Sequence, residues 1–442
     1  MTRSKITLSL FLGLITALSL HAQPKPGPRP APQGAVPAPG SPLPGLTAAE
    51  LAYFQEGAAR FNEVDSVTGT QPGAPGVGLG PRFNGNSCAQ CHAYPAVGGA
   101  SPQVNPQIAV ATAYGAQNRV PAFLQQNGPV RVVRFVRKAD GTPDGGVHDL
   151  FVVTGRSDAG GCNISQPDFD GAVQQKNASF RIPTPVFGAG LIEAIPESAI
   201  LNNLAADAPQ KQQWGIQGRP NRNGNDGTIT RFGWKAQNKS LLLFSGEAYN
   251  VEVGVTNELF ANERDETPGC NPNPSPEDHT NYTATTPAAA MSDTLGFTQF
   301  MRFLAPPQPA FPATASQRGS QVFGQIGCAL CHTPVLRTGP SSSEALSHQP
   351  VALYSDLALH NMGQGLADGV SQGLAQGNEW RTAPLWGVGS RLFLLHDGRT
   401  SDMAQAIQAH QSASSEASTV VNNFNQLVPQ ARQDLLDFLH SL

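Results

Sequence analysis

Charge is scarce in this chain. Asp, Glu, Lys and Arg make up 14% of 442 residues and the formal net charge is −4, so no basic surplus exists to hold a nucleic acid. Beyond residue 20 no apolar run is long enough to span a bilayer. Apart from one short duplicated motif there is no repeat of fixed period, which excludes a solenoid or propeller. Cysteine is sparse, six in all, too few for a chain stapled throughout by disulfides. Glycine (46) and proline (38) are abundant by contrast, and they imply long loops.

The early apolar run, residues 6–20, follows Arg3 and Lys5 and ends at Leu20-His21-Ala22 with a small residue last. It reads as a secretory signal peptide, residues 1–22, and so predicts a periplasmic or otherwise exported protein. Membrane contact is expected only if the segment stays uncleaved. No cysteine follows the junction, so lipid attachment there is not indicated.

Four of the six cysteines fall in two copies of one pattern, Cys88-Ala-Gln-Cys91-His92 and Cys328-Ala-Leu-Cys331-His332. Cys-x-x-Cys-His is the attachment signature of c-type haem. Two thiols three positions apart share one side of a helical turn, each within reach of a haem vinyl group. The adjacent histidine then sits under the iron. A structural zinc site or a redox dithiol is the alternative, but neither explains a histidine directly after the second cysteine in both copies. Two covalently bound haems are expected, with Cys88, Cys91, Cys328 and Cys331 as anchors and His92 and His332 as proximal ligands. Cys162 and Cys270 remain, and an even pair in an exported protein suggests a disulfide, with two unpaired thiols as the alternative.

Residues 23–45 are mostly Pro, Gly and Ala and read as a linker. Thr47-Ala-Ala-Glu50 is a capping-box pattern that predicts a helix with Leu51, Phe54, Ala58 and Phe61 on one face. Runs at 130–135 and 150–153 flank Gly141 and Gly145-Gly146 and predict a hairpin; residues 227–244 look strand-like. Prolines at 306–312 mark a break. Ser316 is placed to cap a helix carrying Val322, Phe323 and Ile326 into the second motif. Pro429 starts a closing helix with Leu435, Phe438, Leu439 and Leu442 on one face. A helix before the motif and one at the end frame a cytochrome c domain. The expected fold is mainly α: two cytochrome c-like domains, residues 46–310 with a β-containing insertion and residues 311–442.

Several segments together carry a family resemblance. They are Pro81-Arg82-Phe83-Asn84, Pro183-Thr184-Pro185, the stretch 188–196, Arg231-Phe232-Gly233-Trp234-Lys235, Gly254-Val255-Thr256-Asn257, Tyr354-Ser355-Asp356-Leu357, His360-Asn361-Met362-Gly363, the stretch 380–387 and His396-Asp397-Gly398-Arg399. In this order the chain resembles the di-haem c-type oxidoreductases, relatives of bacterial di-haem cytochrome c peroxidase and of the di-haem enzyme that matures methylamine dehydrogenase. The resemblance implies a peroxidase-like oxidoreductase that reduces hydrogen peroxide at the N-terminal haem. The C-terminal haem would relay electrons from a small donor protein such as a cytochrome c or a cupredoxin. Calcium between the domains is left open.

An iron with one protein ligand can bind peroxide, whereas one with two mainly transfers electrons. In the related enzymes a helix after the second motif supplies the sixth ligand. Here Met403, Ile407 and His410 share one face of that helix, and His410 sits at the ligand position. Met362 is the rival, and His360 a weaker one. The segment 247–254 resembles the stretch that provides the distal carboxylate of the peroxidases, which makes Glu252 the candidate acid–base residue. Glu193 is read as lining the first pocket or capping the helix that follows it, and Trp234, Trp380 and Trp386 as electron relays or core aromatics. Two other functions stay open. One is a non-catalytic electron-transfer cytochrome with both irons six-coordinate; the other is an oxidase or oxygenase acting on an organic or protein substrate.

Overall fold

Thr47 caps the first helix as its pattern predicts. Its hydroxyl accepts from Glu50 N at 3.2 Å, and the Glu50 carboxylate accepts from Thr47 N at 2.8 Å. The helix runs Ala48–Asn62 in a computed structural model that describes residues 38–309 and 314–442. The signal segment, linker residues 23–37 and residues 310–313 of the predicted break lie outside the described residues. Of the predicted apolar face, Phe54 and Phe61 are buried, Ala58 is half-buried and Leu51 is exposed. The packed stripe instead runs through Gly57, which lies directly on Gly296 of the helix Asp293–Phe303; a Cβ at Gly57 would overlap the Gly296 carbonyl. At that close approach Phe61 packs on Phe300 and Phe297 with ring centroids 4.7 and 6.1 Å away.

The same crossing recurs at the second motif. The helix Thr314–Gln325 lies on the closing helix Pro429–Ser441, with Gly319 against the Asp434 backbone and Phe323 5.5 Å from Phe438. Gly57 precedes Phe61 by four residues and Gly319 precedes Phe323 by four, so in each helix the contact glycine and the aromatic lie on one face. Ser316 is not the cap expected of it. It lies inside the helix, buried, with its hydroxyl 2.9 Å from that of Ser441. The closing helix keeps its prediction, with Leu435, Phe438, Leu439 and Leu442 all buried.

The β-structure departs from the sequence reading. Val132–Phe135 is the central strand of a three-stranded antiparallel sheet, paired with Val147–His148 and with Ala178–Arg181. Residues 150–153 do not join it, because Phe151–Val152 pairs with Arg82–Phe83. The strand-like region 227–244 contains only the short strand Ile229–Thr230 and then the helix Leu241–Ala248. Ser240 decides that outcome: its hydroxyl accepts from Leu243 N and caps the helix, while a Glu193 carboxylate oxygen accepts from Leu241 N at 2.8 Å. Glu193 therefore caps a helix, though not the one that follows it in sequence.

Among the described residues there are fifteen α-helices, 33% of those residues are helical, and all sheets are small. They form one compact unit, with a large apolar cluster around the first crossing and a smaller one beneath the closing helix. No helix among them is long and apolar enough to cross a membrane. Cys162 and Cys270 are joined in a disulfide, their Cα atoms 4.5 Å apart.

If the crossings are set by glycine contact, Gly319→Ala should lower stability by about 1–3 kcal/mol through overpacking. Gly224→Ala, where a Cβ meets nothing within 4 Å, should stay within about 0.5 kcal/mol of the parent. Denaturant titration of both variants measures the contrast; equal losses would rule out the glycine contact as its source.

Candidate haem sites and distal cavity

Cys88–Cys91 forms a single helical turn, with His92 at its end and His92 N donating to Cys88 O at 3.0 Å. The second motif repeats the turn, with His332 N donating to Cys328 O at 2.8 Å. In each, the aromatic of the glycine-crossed helix packs on the histidine: Phe61 at 6.0 Å from His92 and Phe323 at 6.5 Å from His332. Each imidazole also turns Nδ1 to a backbone carbonyl, Gly99 O at 3.2 Å for His92 and Tyr354 O at 2.9 Å for His332. Fixing Nδ1 in this way reserves Nε2 for a metal. Burial pulls both imidazoles down to about 4, so they are neutral, as a ligand must be. Burial pushes the Cys91 and Cys328 thiols up to about 12 and Cys88 higher still. The donor sets fit a haem at both motifs.

Behind Cys88, Cys91 and His92 opens a cavity of about 170 Å³. Phe61, Phe297 and Met301 make one side apolar. Another wall is one face of the three-stranded sheet. Strand period two turns Val130, Val132 and Arg134 to the cavity, and Arg181, directly opposite Val132, shares that face. The other face buries Val133 and packs Phe135 and Phe180 against Phe169 and Phe123. The insertion thus supplies one wall of the cavity that Cys88, Cys91 and His92 also line.

Glu252 enters the cavity from a wide π-turn, Tyr249–Val253, that follows the helix Leu241–Ala248. Such turns re-aim side chains and recur at functional sites. Gly254 ends the turn at φ 82°, where a Cβ would overlap Arg82 O. Glu252 O accepts from Asn84 N at 2.7 Å and Gly85 N at 3.1 Å, which ties the turn to the loop that leads into Cys88. No described residue hydrogen-bonds the Glu252 carboxylate. Burial, helped by Asp149, pushes its carboxyl up to about 7, against the pull of Arg134 and Arg264.

The sequence reading missed the neighbours of Glu252. Glu247 also lines the cavity, and its carboxylate accepts from Asn238 Nδ2. Arg134 donates Nη1 to Gly145 O at 2.6 Å, while its Nε is buried without a partner. Burial, and then the charge of Arg181, pull Arg134 down to about 10. Alternation of valines with Arg134 along 130–134 was the available signal for a strand turned onto a site.

Around the second motif, His410 ends the helix Met403–Ala409 with Nδ1 2.7 Å from Ala406 O, the same device seen at His92 and His332. His410 stands close enough to His332 for its charge to depress that imidazole. Met362 is buried with Leu366 and Trp380, and Ala409 packs on the same cluster. His360 is engaged elsewhere: Nε2 lies 2.9 Å from Asp356 and Nδ1 2.7 Å from Glu416, so both nitrogens donate. Burial opposes its charge, but Cys331 and Asp356 hold its pKa well above the usual histidine range. Cys331, Asp356 and His360 are the group close enough to hold an ion among the described residues, and the two carboxylate partners of His360 make it an ion-paired network instead.

The three candidate relay tryptophans differ. Trp380 stacks on His396 at 3.8 Å with Lys235 and Arg181 over its ring, Trp234 lines the cavity, and Trp386 is buried.

The family described as "Di-haem oxidoreductase, putative peroxidase" matches residues 132–442, more than half the chain. The chain belongs to the di-haem oxidoreductases. The match includes the second motif and Glu252; the first motif lies before it. No curated protein matches. Among solved structures, hydrazine synthase of Kuenenia stuttgartiensis is similar at 13% identity and a TM-score of 0.37, over 95% of this chain and 100% of that one. A MauG-like protein associated with microbial copper homeostasis is similar at 20% identity and a TM-score of 0.27, over 36% of this chain and 55% of that one. The diheme peroxidase BthA of Burkholderia thailandensis is similar at 13% identity and a TM-score of 0.29, over 48% of this chain and 65% of that one. None of the three superposes closely enough to bear on the geometry here.

Proposed function

We propose that this di-haem oxidoreductase is an exported c-type peroxidase with two covalently attached haems, one held by Cys88, Cys91 and His92 and the other by Cys328, Cys331 and His332. The observation that carries the reading is the cavity that His92 shares with Glu252, an unpaired carboxylate near a guanidinium with a free nitrogen. The repeated helix crossing supports two cytochrome c-like halves, residues 46–310 and 311–442. The shared use of Nδ1 by His332 and His410 favours His410 over Met362 as the sixth ligand of the second site.

When bound, the haem at the first site would supply the electrons for cleaving a peroxide bond. Glu252 takes the proton from the inner oxygen of hydrogen peroxide and returns it to the outer one. Arg134 donates to that outer oxygen as negative charge develops on it. One hydrogen peroxide, two electrons and two protons give two waters. The electrons come from a small donor protein, a cytochrome c or a cupredoxin, entering at the second site.

Intact mass of the exported protein should show two added haems, and Cys88→Ala with Cys91→Ala should leave one. A zinc-loaded or haem-free parent would reject the assignment. As a base, Glu252 acts when ionised, so peroxide turnover should rise with pH along a limb near 7, set by its raised pKa. Glu252→Gln should abolish that limb and slow turnover by roughly 10²-fold or more. Full turnover with an unchanged profile in Glu252→Gln would remove the residue from the reaction.

A further inference from the structure

A second cavity shares Thr184, Val186, Gly233 and Trp234 with the first and is bounded also by Trp386. Three guanidiniums line it, those of Arg231, Arg381 and Arg391, and no carboxylate does. Arg231 has acids to balance it, the charges of Glu197 and Glu193, although its Nε is buried without a partner. Its Nη1 donates to the carbonyls of Ile192, Glu193 and Ile195 at 3.2, 3.1 and 2.5 Å, around the C-terminal end of the helix Ala189–Glu193.

Arg381 and Arg391 differ. Arg381 donates Nε to Gly233 O at 2.9 Å and Nη1 to Thr382 O at 3.4 Å. Arg391 donates Nη2 to Pro384 O at 2.8 Å, and its Nε is buried without a partner. Neither has an ion-pair partner among the described residues, and the charge that acts on Arg381 is that of Arg391. Burial pulls both down to about 10, which leaves them cationic at neutral pH. Two like charges buried side by side need an anionic partner. Two surroundings say which one. The cavity shares a wall with the first haem site, and Arg391 lies between Val388 and Leu394, which pack in the apolar cluster that Cys328 of the second site joins. A haem carries two propionate carboxylates, and planar guanidiniums bind carboxylates in bidentate fashion.

We infer that Arg381 and Arg391 are the counter-charges for the propionate carboxylates of a bound haem, with Gly233 and Pro384 orienting the two guanidiniums. The inference rests on the haem content of the family and not on peroxide chemistry. In this role the arginines are positioning residues: they fix the carboxylate edge of a haem and, by supplying positive charge, favour its reduced form.

Spectroelectrochemical titration of the intact di-haem protein tests this. Arg381→Gln and Arg391→Gln should each retain two haems by mass yet lower the midpoint potential of one of them. Arg391→Lys, which keeps the charge, should restore most of that midpoint. Inorganic phosphate added to the parent should move neither midpoint, because propionates already occupy the arginines. Unchanged midpoints in both Gln variants, or a phosphate-dependent midpoint in the parent, would overturn the assignment, the latter in favour of a free anion. If the Gln variants fail to accumulate, resonance Raman spectra decide. Propionate bending bands should shift between the parent and Arg391→Lys, and bands that do not move reject the pairing.

Discussion

The Glu252 carbonyl accepts hydrogen bonds from Asn84 N and Gly85 N, and the arrangement of the first site depends on that pair. It joins two stretches more than 160 residues apart: the loop that delivers Cys88, Cys91 and His92, and the π-turn that delivers the acid. Because the bonds are backbone to backbone, they set the turn's position whatever its side chains do. The side chain of Glu252 is then free to face the cavity. Arg264 steadies the same region from outside by donating to Asp149 Oδ1 at 2.7 Å and to Val251 O at 2.9 Å. Its chain segment leads on to Cys270, which the disulfide holds to Cys162.

Around this tie the chain uses one packing device twice. A glycine lets two helices touch backbone to backbone, and an aromatic one turn later reaches the histidine of the motif. The two sites differ in what lies around that histidine. At the first it is a sheet face bearing Arg134 and Arg181, with Glu252 and Glu247 beside it. At the second it is the helix Met403–Ala409 with His410 at its end. In the proposed reading the chemical asymmetry of the two sites therefore arises from the elements around a repeated helix crossing, not from the crossing.

Much of that frame was readable from residues alone. The Cys-x-x-Cys-His copies, the Thr47 capping box, the closing-helix face and the Cys162–Cys270 bond rest on local pattern or simple counting, and local chemistry decided them. Glu252 was reached through resemblance and came to lie on the same cavity as His92. The errors lay where tertiary pairing overrides local preference. Residues 150–153 have the composition of a hairpin partner but pair with Arg82–Phe83, and the apolar run 241–244 looks like a strand until Ser240 and Glu193 cap it as a helix. The Gly-x-x-x-Phe pair escaped notice because its two copies stand at different distances from their haem motifs. Arg381 and Arg391 were hidden for another reason: sequence does not reveal that a buried cation lacks an acid.

The central claim is that the two sites are unlike, one open beside Glu252 and one closed by a second histidine. Electron paramagnetic resonance of the fully oxidised protein tests it most directly. One high-spin and one low-spin ferric signal in equal amounts, with the low-spin signal converted in His410→Ala, is the predicted result. Two low-spin signals, or a low-spin signal indifferent to His410→Ala, would contradict it.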